Sequence, residues 1–282
     1  MKRSPAPDLA GGTASDPGQV RAVVRASMVI STLAEHPYPM GIVELAGRVQ
    51  LSPGSVHRLL STLVGIGWVE QNARTAKYRL GTRIMGIGAT GLVSNPVVAD
   101  GKTFLARLVE RTGHDALLTT LVGMRTVHLA RVAGAQTRLT DFEPGQSHPA
   151  HAMADGKLLL AYLPEEERRR LYAVEPMHRF TPNTIVDPAD LERELAKIRE
   201  QGYAVDDRER FESGRGLAVP VLGTDRLPIL AMLCVGELPP EPAGQREIVN
   251  LMLSLAREME QHLSSIGDMP GQVREALAAR RS

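Results

Sequence analysis

Between residues 52 and 77 the sequence places small, hydroxylated and basic side chains in a pattern typical of contact with a nucleic acid. A helix that enters a major groove needs short residues for close approach, an arginine for a guanine edge, and hydroxyls for phosphates. A basic loop beside it suits phosphates, where the attraction falls with salt. The predicted DNA contacts are Ser52, Gly54, Ser55, His57, Arg58, Ser61, Thr62, Arg74 and Lys77.

These residues need a helix and a hairpin to hold them. Ser52 followed by Pro53 is an N-cap with proline at the first helical position. The apolar residues Val56, Leu59, Leu60 and Leu63 then recur at helical spacing and predict a buried face. Two amphipathic segments precede this helix, the second shorter than the first, and two short strands follow it, over 68–71 and 77–80. The sequence therefore predicts a winged helix-turn-helix over residues 20–80.

Charge distribution favours a polyanionic partner for this end of the chain. The 282 residues include 33 Lys and Arg against 32 Asp and Glu, but residues 1–83 hold ten basic and five acidic side chains. Chance alone can produce such an excess, small polar residues cover any solvated helix, and winged helices also serve as protein-interaction modules. DNA binding is the favoured interpretation, with the interaction module as the alternative.

The length predicts about two domains, and the rest of the pattern mixes strands with helices. Residues 1–19 predict a disordered leader, 81–98 a linker helix, 99–265 an α/β domain, and 266–282 a C-terminal tail. The fold class is α+β. Predicted strands are 116–122, 127–132, 138–142, 203–206, 217–222 and 229–235. Predicted helices are one through 97–108, then 151–163, 165–172 and 191–201, and a last one through 248–259.

The second half contains a candidate ligand site. His148 and Ala154–Lys157 lie at the start of a predicted helix, where free N–H groups suit an anionic or hydrogen-bonding ligand. Asp155 could instead cap that helix or face solvent, and Cys234 could be a buried apolar residue. His148, His151 and Asp155 could be written as a zinc triad, although their spacing is a weak metal signal. No metal and no cofactor are expected.

Four segments resemble the IclR-type bacterial transcriptional regulators. They read IVELAGRVQLSPGSVHRLLSTLVGIGWVEQNARTAKYRLG, HPAHAMADGKLLLAYLPEEE, GYAVDDRERFESGRGLAVPV and LAMLCVGELP. The resemblance implies a homodimer or dimer of dimers on a partly palindromic operator, and a GAF-like domain that senses a small metabolite. It implies an effector pocket at Leu139, His148, Ala154, Asp155, Asp206, Gly216, Cys234 and Gly236.

The sequence departs from the family pattern in that pocket. Asp155 stands where a small or apolar residue is usual, Gly216 where a cysteine is common, and Cys234 and Gly236 where serines are common. One residue is missing near Arg215, so Leu233 and Val235 could replace the last two. These departures argue against a glyoxylate-like keto acid and favour a larger or less anionic effector, aromatic or hydroxylated.

An enzyme is disfavoured because the chain lacks a Gly-x-Ser-x-Gly elbow, a phosphate-binding loop ending in Lys-Ser/Thr, and a His-Glu-x-x-His motif. Cys234, His151 and Asp206 could form a hydrolase-like triad only if the fold brought them together. A single cysteine also excludes an internal disulfide. Without a signal peptide or a membrane-length apolar run, a cytoplasmic location is expected.

Overall fold

The computed structural model describes residues 20–36, 38–135, 142–223 and 226–265. The chain divides into two compact units, one ending at Leu92 and one starting at Val93. The predicted leader, the predicted tail, Leu139 and most of the predicted strand 138–142 lie outside the described residues. No described helix is both long and apolar enough to cross a membrane.

The first unit is a winged helix-turn-helix, as predicted. Its helices are α1 (Arg21–Ala34), α2 (Ile42–Arg48) and α3 (Pro53–Gly65), and its hairpin consists of β1 (Val69–Gln71) and β2 (Tyr78–Leu80). The apolar stripes of all three helices meet in one core, which includes Val29, Leu45, Val56 and Leu60. Burial of these stripes fixes which face of α3 points outward.

The segment after the hairpin forms a shorter helix than predicted. The helix α4 covers Thr82–Val93, and α5 starts afresh at Pro96 and runs to Thr112. Asn95 caps α5 by accepting a hydrogen bond from the Val97 N–H at 3.0 Å. The predicted linker helix, 81–98, therefore extends too far at its C-terminal end. The residue before a proline avoids the helical conformation, and proline itself suits the first turn of the next helix.

The second unit is built on a six-stranded antiparallel sheet. Its strands are β3 (Asp115–Val122), β4 (Arg125–Val132), β5 (Ser147–Pro149), β6 (Ala204–Asp207), β7 (Arg215–Leu222) and β8 (Pro228–Gly236). Their order across the sheet is β5-β4-β3-β8-β7-β6. The sequence pattern did not predict β5, since three residues ending in proline carry no alternation.

Helices cover both faces of this sheet. The helix α5 and the long helix α9 (Pro242–Ser265) pack on one face. The other face lies against α6 (Ala154–Ala161), α7 (Glu165–Val174) and α8 (Pro188–Gln201). The predicted helix 151–163 starts too early: His151 lies in a 3-10 turn, and the extended Met153 separates this turn from α6. Each face has its own apolar core, so a side chain's position along a strand decides which core it joins.

Candidate nucleic-acid interface and ligand site

The outward face of α3 presents the predicted DNA contacts together. His57, Arg58, Ser61 and Thr62 are exposed, on the side opposite the buried apolar stripe. Gly54 is open as well, since a Cβ added there would meet no atom within 4 Å. A flat, accessible helix face with an arginine at its centre is the geometry that major-groove contact requires.

The hydroxyl groups on α3 are engaged in local hydrogen bonds. Ser52 accepts the Ser55 N–H at 3.3 Å and donates to Ser55 Oγ at 2.9 Å, so it caps the helix. Ser61 donates to the His57 carbonyl at 3.0 Å, and Thr62 to the Arg58 carbonyl at 3.2 Å. Either hydroxyl must rotate before it can donate to a phosphate. The Arg58 guanidinium is exposed without such a constraint.

The turn between β1 and β2 carries the basic side chains of the wing. The Asn72 side chain accepts hydrogen bonds from the N–H groups of Arg74 at 2.9 Å and Thr75 at 3.1 Å, which fixes the turn. Within the described ranges Arg74 and Lys77 are exposed and form no ion pair, whereas Arg79 pairs with Glu70 at 2.9 Å. The wing therefore presents two positive charges that no neighbouring carboxylate neutralises.

Three residues of the predicted effector pocket meet on the α6 side of the sheet. A Cβ added at Gly216 would lie 3.4 Å from the Ala154 Cβ and the Leu233 Cδ1, and 3.5 Å from the Asp206 Cβ. The backbone of Gly216 thus leaves room where β6, β7, β8 and the start of α6 converge. The grouping of Ala154, Asp206 and Gly216 follows from strand register, since Asp206 lies directly opposite Gly216.

Cys234 and Gly236 do not belong to this group. In β8, Val235 lies opposite Gly216 and Leu233 opposite Ala218, whereas Cys234 joins the core beneath α5 and α9. A Cβ at Gly236 would instead meet the His114 ring at 3.0 Å. Assigning these two residues to the pocket was wrong by one position, which moves a strand residue to the opposite face. The alternative pair, Leu233 and Val235, occupies the α6 side.

The same arrangement separates the residues of the hypothetical hydrolase triad. Cys234 and Asp206 belong to opposite faces of the sheet. Burial raises the pKa of the Cys234 thiol to about 12, which keeps it protonated. His151 lies in the 3-10 turn, where its Nε2 is 3.0 Å from the His178 carbonyl oxygen. No cluster of three or more His, Cys, Asp or Glu among the described residues could hold a metal ion.

Asp155 is the most unusual residue of the pocket. It has no exposed surface, so it does not face solvent. Burial raises its pKa to about 6, although hydrogen bonds from the Thr119 hydroxyl, the N–H groups of Gly156 and Asp155, and the Thr126 hydroxyl favour the ionised form. Those hydroxyls also lie 3.5 Å from backbone carbonyls of Ala231 and His148. The group is a fully buried carboxylate whose donors come from the start of α6 and from two strand threonines.

Asp206 is also buried, but its carboxylate has a short backbone donor and a charged carboxylate nearby. It accepts the Glu209 N–H at 2.6 Å, and burial together with the Glu209 charge raises its pKa to about 7. Glu209 itself forms a buried ion pair with Lys157, whose Nζ also lies 3.8 Å from Glu194. The Lys157 charge is thereby already shared between two carboxylates.

A wall of rings lies on the same face of the sheet as these carboxylates. The His148 ring lies 5.0 Å from His128, 5.3 Å from Phe142 and 5.8 Å from Phe211, measured between centroids. His128 stacks on Phe142 at 5.4 Å, and burial lowers its pKa to about 3, so the ring is neutral. Sequence analysis missed all three neighbours of His148. Of these three, His128 could have been indicated by strand alternation, since it lies two residues after Thr126 on β4 and therefore points to the same face of the sheet.

Comparison with known proteins gives a consistent result over most of the chain. Family models described as "IclR helix-turn-helix domain" and "Bacterial transcriptional regulator IclR C-terminal" match residues 22–73 and 89–237. The HTH-type transcriptional regulator BhcR of Paracoccus denitrificans is 33% identical over 213 residues, which cover 75% of this chain and 76% of that protein.

Two solved structures illustrate the structural likeness. A crystal structure of an IclR transcriptional regulator from Alicyclobacillus acidocaldarius has a TM-score of 0.71 at 27% identity, and the match covers 86% of this chain and 98% of that one. A double mutant of the PobR inducer-binding domain from Acinetobacter, in complex with 3-hydroxybenzoic acid, has a TM-score of 0.52 at 27% identity, over 56% of this chain and 94% of that one.

Proposed function

Because this chain belongs to the IclR family of bacterial transcriptional regulators, we propose that it binds a partly palindromic operator as a dimer or dimer of dimers and responds to a small metabolite. The matching families and relatives are regulators, not enzymes. One observation carries the DNA part of the proposal. The α3 surface around Arg58 is exposed and open, and the wing beside it carries Arg74 and Lys77, which form no ion pair with any residue that the structure describes.

A second copy of the chain is proposed to cover α4. This helix has no buried residue, and its side chains Met85, Ile87 and Val93 are 60%, 55% and 80% exposed. Apolar side chains gathered on one exposed helix favour burial against another protein surface. A two-fold dimer would also present two α3 helices to two half-sites of a palindrome.

The effector is proposed to bind on the α6 side of the sheet, among Ala154, Asp155, Asp206 and Gly216. Buried, mostly apolar surroundings with a few polar groups are typical of such sites. The PobR inducer-binding domain holds 3-hydroxybenzoic acid, a hydroxylated ring, which supports a compound of this general kind for the present chain. Leu139 lies outside the described residues, so its place in the effector pocket stays a prediction.

Selection of duplexes from a random pool by the purified protein tests the proposal. We expect enrichment of a sequence with two inverted half-sites, and we expect Arg58→Ala to relax the enrichment at one position of each half-site. Failure to enrich any duplex at low salt would refute DNA binding and favour the protein-interaction module. A panel of small aromatic and keto acids, followed by thermal shift, tests the effector part, because a ligand that binds only the native state raises Tm.

A further inference from the structure

A side chain from the hairpin holds the start of α4. Glu70 lies on β1, directly opposite Arg79 on β2. Its Oε1 accepts the N–H of Thr82, the first residue of α4, at 3.1 Å. Its Oε2 accepts two hydrogen bonds from the Arg79 guanidinium, at 2.9 and 3.2 Å. One carboxylate therefore connects both strands of the hairpin to the helix that follows them.

The hydrogen bond from Thr82 satisfies a group that the helix itself leaves without a partner. The first N–H groups of a helix have no acceptor within it, and a carboxylate beside them stabilises the positive end of the helix. The hydrogen bond from the Met85 N–H to the Gly81 carbonyl, which closes the first turn of α4, is long at 3.4 Å. The Thr82 N–H and the Arg79 guanidinium lower the pKa of Glu70, so its carboxylate is ionised at neutral pH. The first turn of α4 is thus held more closely by Glu70 than by its own closing hydrogen bond.

The same joint contacts the C-terminal end of α3. Gly81 lies so close to Gly67 that a Cβ added to Gly81 would be 2.4 Å from the Gly67 carbonyl oxygen. Arg83 Nη1 donates to the carbonyl of Ile66, the C-cap of α3, at 3.4 Å. Backbone contact at Gly81 prevents α4 from moving closer to the end of α3, and the Glu70 carboxylate prevents its first turn from moving away. Together these contacts fix the angle between α3 and α4.

We propose that Glu70 is a positioning residue for operator recognition, because it fixes the direction of α4 relative to α3 and thereby the separation of the two α3 helices in a dimer. This inference rests on the proposed function, since it assumes a dimer that pairs through α4 and an operator with two half-sites. In a two-fold dimer built on α4, the angle between α4 and α3 in each protomer sets the distance between the two α3 helices. The spacing of the half-sites in the operator must match that distance.

Operators that differ only in the spacing between their half-sites test the inference. A change of two base pairs turns one half-site by about 70° around the duplex axis, so a rigid dimer discriminates against it. In fluorescence anisotropy titrations, we expect the full wild-type chain to prefer one spacing at least about tenfold over spacings two base pairs longer or shorter. In Glu70→Ala this preference should fall to about threefold or less, while affinity for a duplex with one half-site changes by less than about twofold.

Two further variants separate the hydrogen bond to Thr82 from the ion pair. Glu70→Gln retains an oxygen that can accept the Thr82 N–H, so it should restore the spacing preference. Arg79→Ala is the matched control, since it removes the ion pair and leaves the Glu70 carboxylate on the Thr82 N–H, and it should retain the preference. Hydrogen exchange of the Thr82 amide, measured by NMR, should be faster in Glu70→Ala than in the wild type and in Arg79→Ala.

Several results would overturn the inference. They are a wild-type spacing preference or a wild-type Thr82 exchange rate in Glu70→Ala, an equal loss of preference in Arg79→Ala, no recovery in Glu70→Gln, and loss of single half-site binding in Glu70→Ala. A wild-type chain that selects inverted half-sites without a preferred spacing would refute the positioning role and leave the proposed function intact. A wild-type chain that selects no duplex refutes the proposed function itself.

Discussion

Arginines on the DNA-binding unit differ in what holds them, and this difference predicts different roles. Arg58 stands exposed on α3, whereas the Arg79 guanidinium is held by Glu70 at 2.9 Å. We expect Arg58→Ala to weaken operator binding by about 1 to 3 kcal/mol and to relax base preference at one position of each half-site. Arg79→Ala removes the same charge and serves as the control, with a smaller effect. Equal losses in fluorescence anisotropy titrations of both variants would contradict a base-reading role for Arg58.

Buried carboxylates predict a pH dependence of stability in the ligand-free protein. The pKa values of Asp155 and Asp206 are raised from 3.8 to about 6 and about 7, so the folded state holds protons that the unfolded state releases. Their stabilisation is therefore greatest below about pH 4 and is lost as pH rises through 6 to 7. Asp155→Asn should raise the free energy of unfolding at about pH 8 by up to about 3 kcal/mol.

Denaturant titrations at several pH values measure this effect, with the neighbouring exposed Asp207→Asn as control. The Asp155→Asn variant should lose less stability than the wild type between about pH 5 and pH 8. A parallel fall in both proteins would show that Asp155 does not hold its proton in the folded state.

At the scale of elements, two serines of α3 illustrate how position determines a residue's contribution. Ser52 accepts the Ser55 N–H and caps the helix, whereas Ser61 donates to a carbonyl within its exposed face. Ser52→Ala should lower the free energy of unfolding by about 1 kcal/mol, because a helix N–H loses its acceptor. Ser61→Ala should change stability by less than about 0.5 kcal/mol. Urea titrations that gave equal values for the two variants would contradict the capping role.

Elements with a strong local signal were predictable from the sequence, and those fixed by distant contacts were not. The cap at Ser52 and the spacing of Val56 and Leu60 define α3 within a few residues. The strand β5 exists because β4 offers it an edge, which no local pattern records. The pocket error at Cys234 arose because register along β8 is set by β3 and β7, and a slip of one residue exchanges the two cores.

The ring wall at the proposed ligand site is another feature that depends on contacts between residues distant in sequence. Asp155, Asp206 and His148 were found by motif, but Phe142 and Phe211 lie in loops that only the folded chain brings together. Phe142 was assigned to the end of a predicted strand and Phe211 to no element, so the sequence pattern gave no indication of a shared surface.

For the whole molecule, the exposed apolar residues of α4 predict a dimer that a single charge can weaken. Ile87 is 55% exposed on this helix, and Val43, 73% exposed on α2, offers a matched apolar position elsewhere. Ile87→Asp should shift the sedimentation profile toward monomer and weaken operator binding, because an unpaired charge would be buried in the interface. Val43→Asp should leave the mass unchanged. A dimer that persists in Ile87→Asp at low concentration would place the interface elsewhere.

Operator binding by the assembled protein should depend on local charge and not on the overall balance. The chain has a formal net charge of only +1, yet residues 1–83 hold five more basic than acidic side chains. If Arg74 and Lys77 of each protomer contact phosphates, a dimer neutralises about four, and the logarithm of affinity should fall with the logarithm of salt at a slope of about −4. Arg74→Ala should make that slope shallower by about two, one unit for each protomer, while sequence preference is retained. A slope near zero in the wild type, measured by anisotropy across a salt series, would mean that the wing does not reach the DNA backbone.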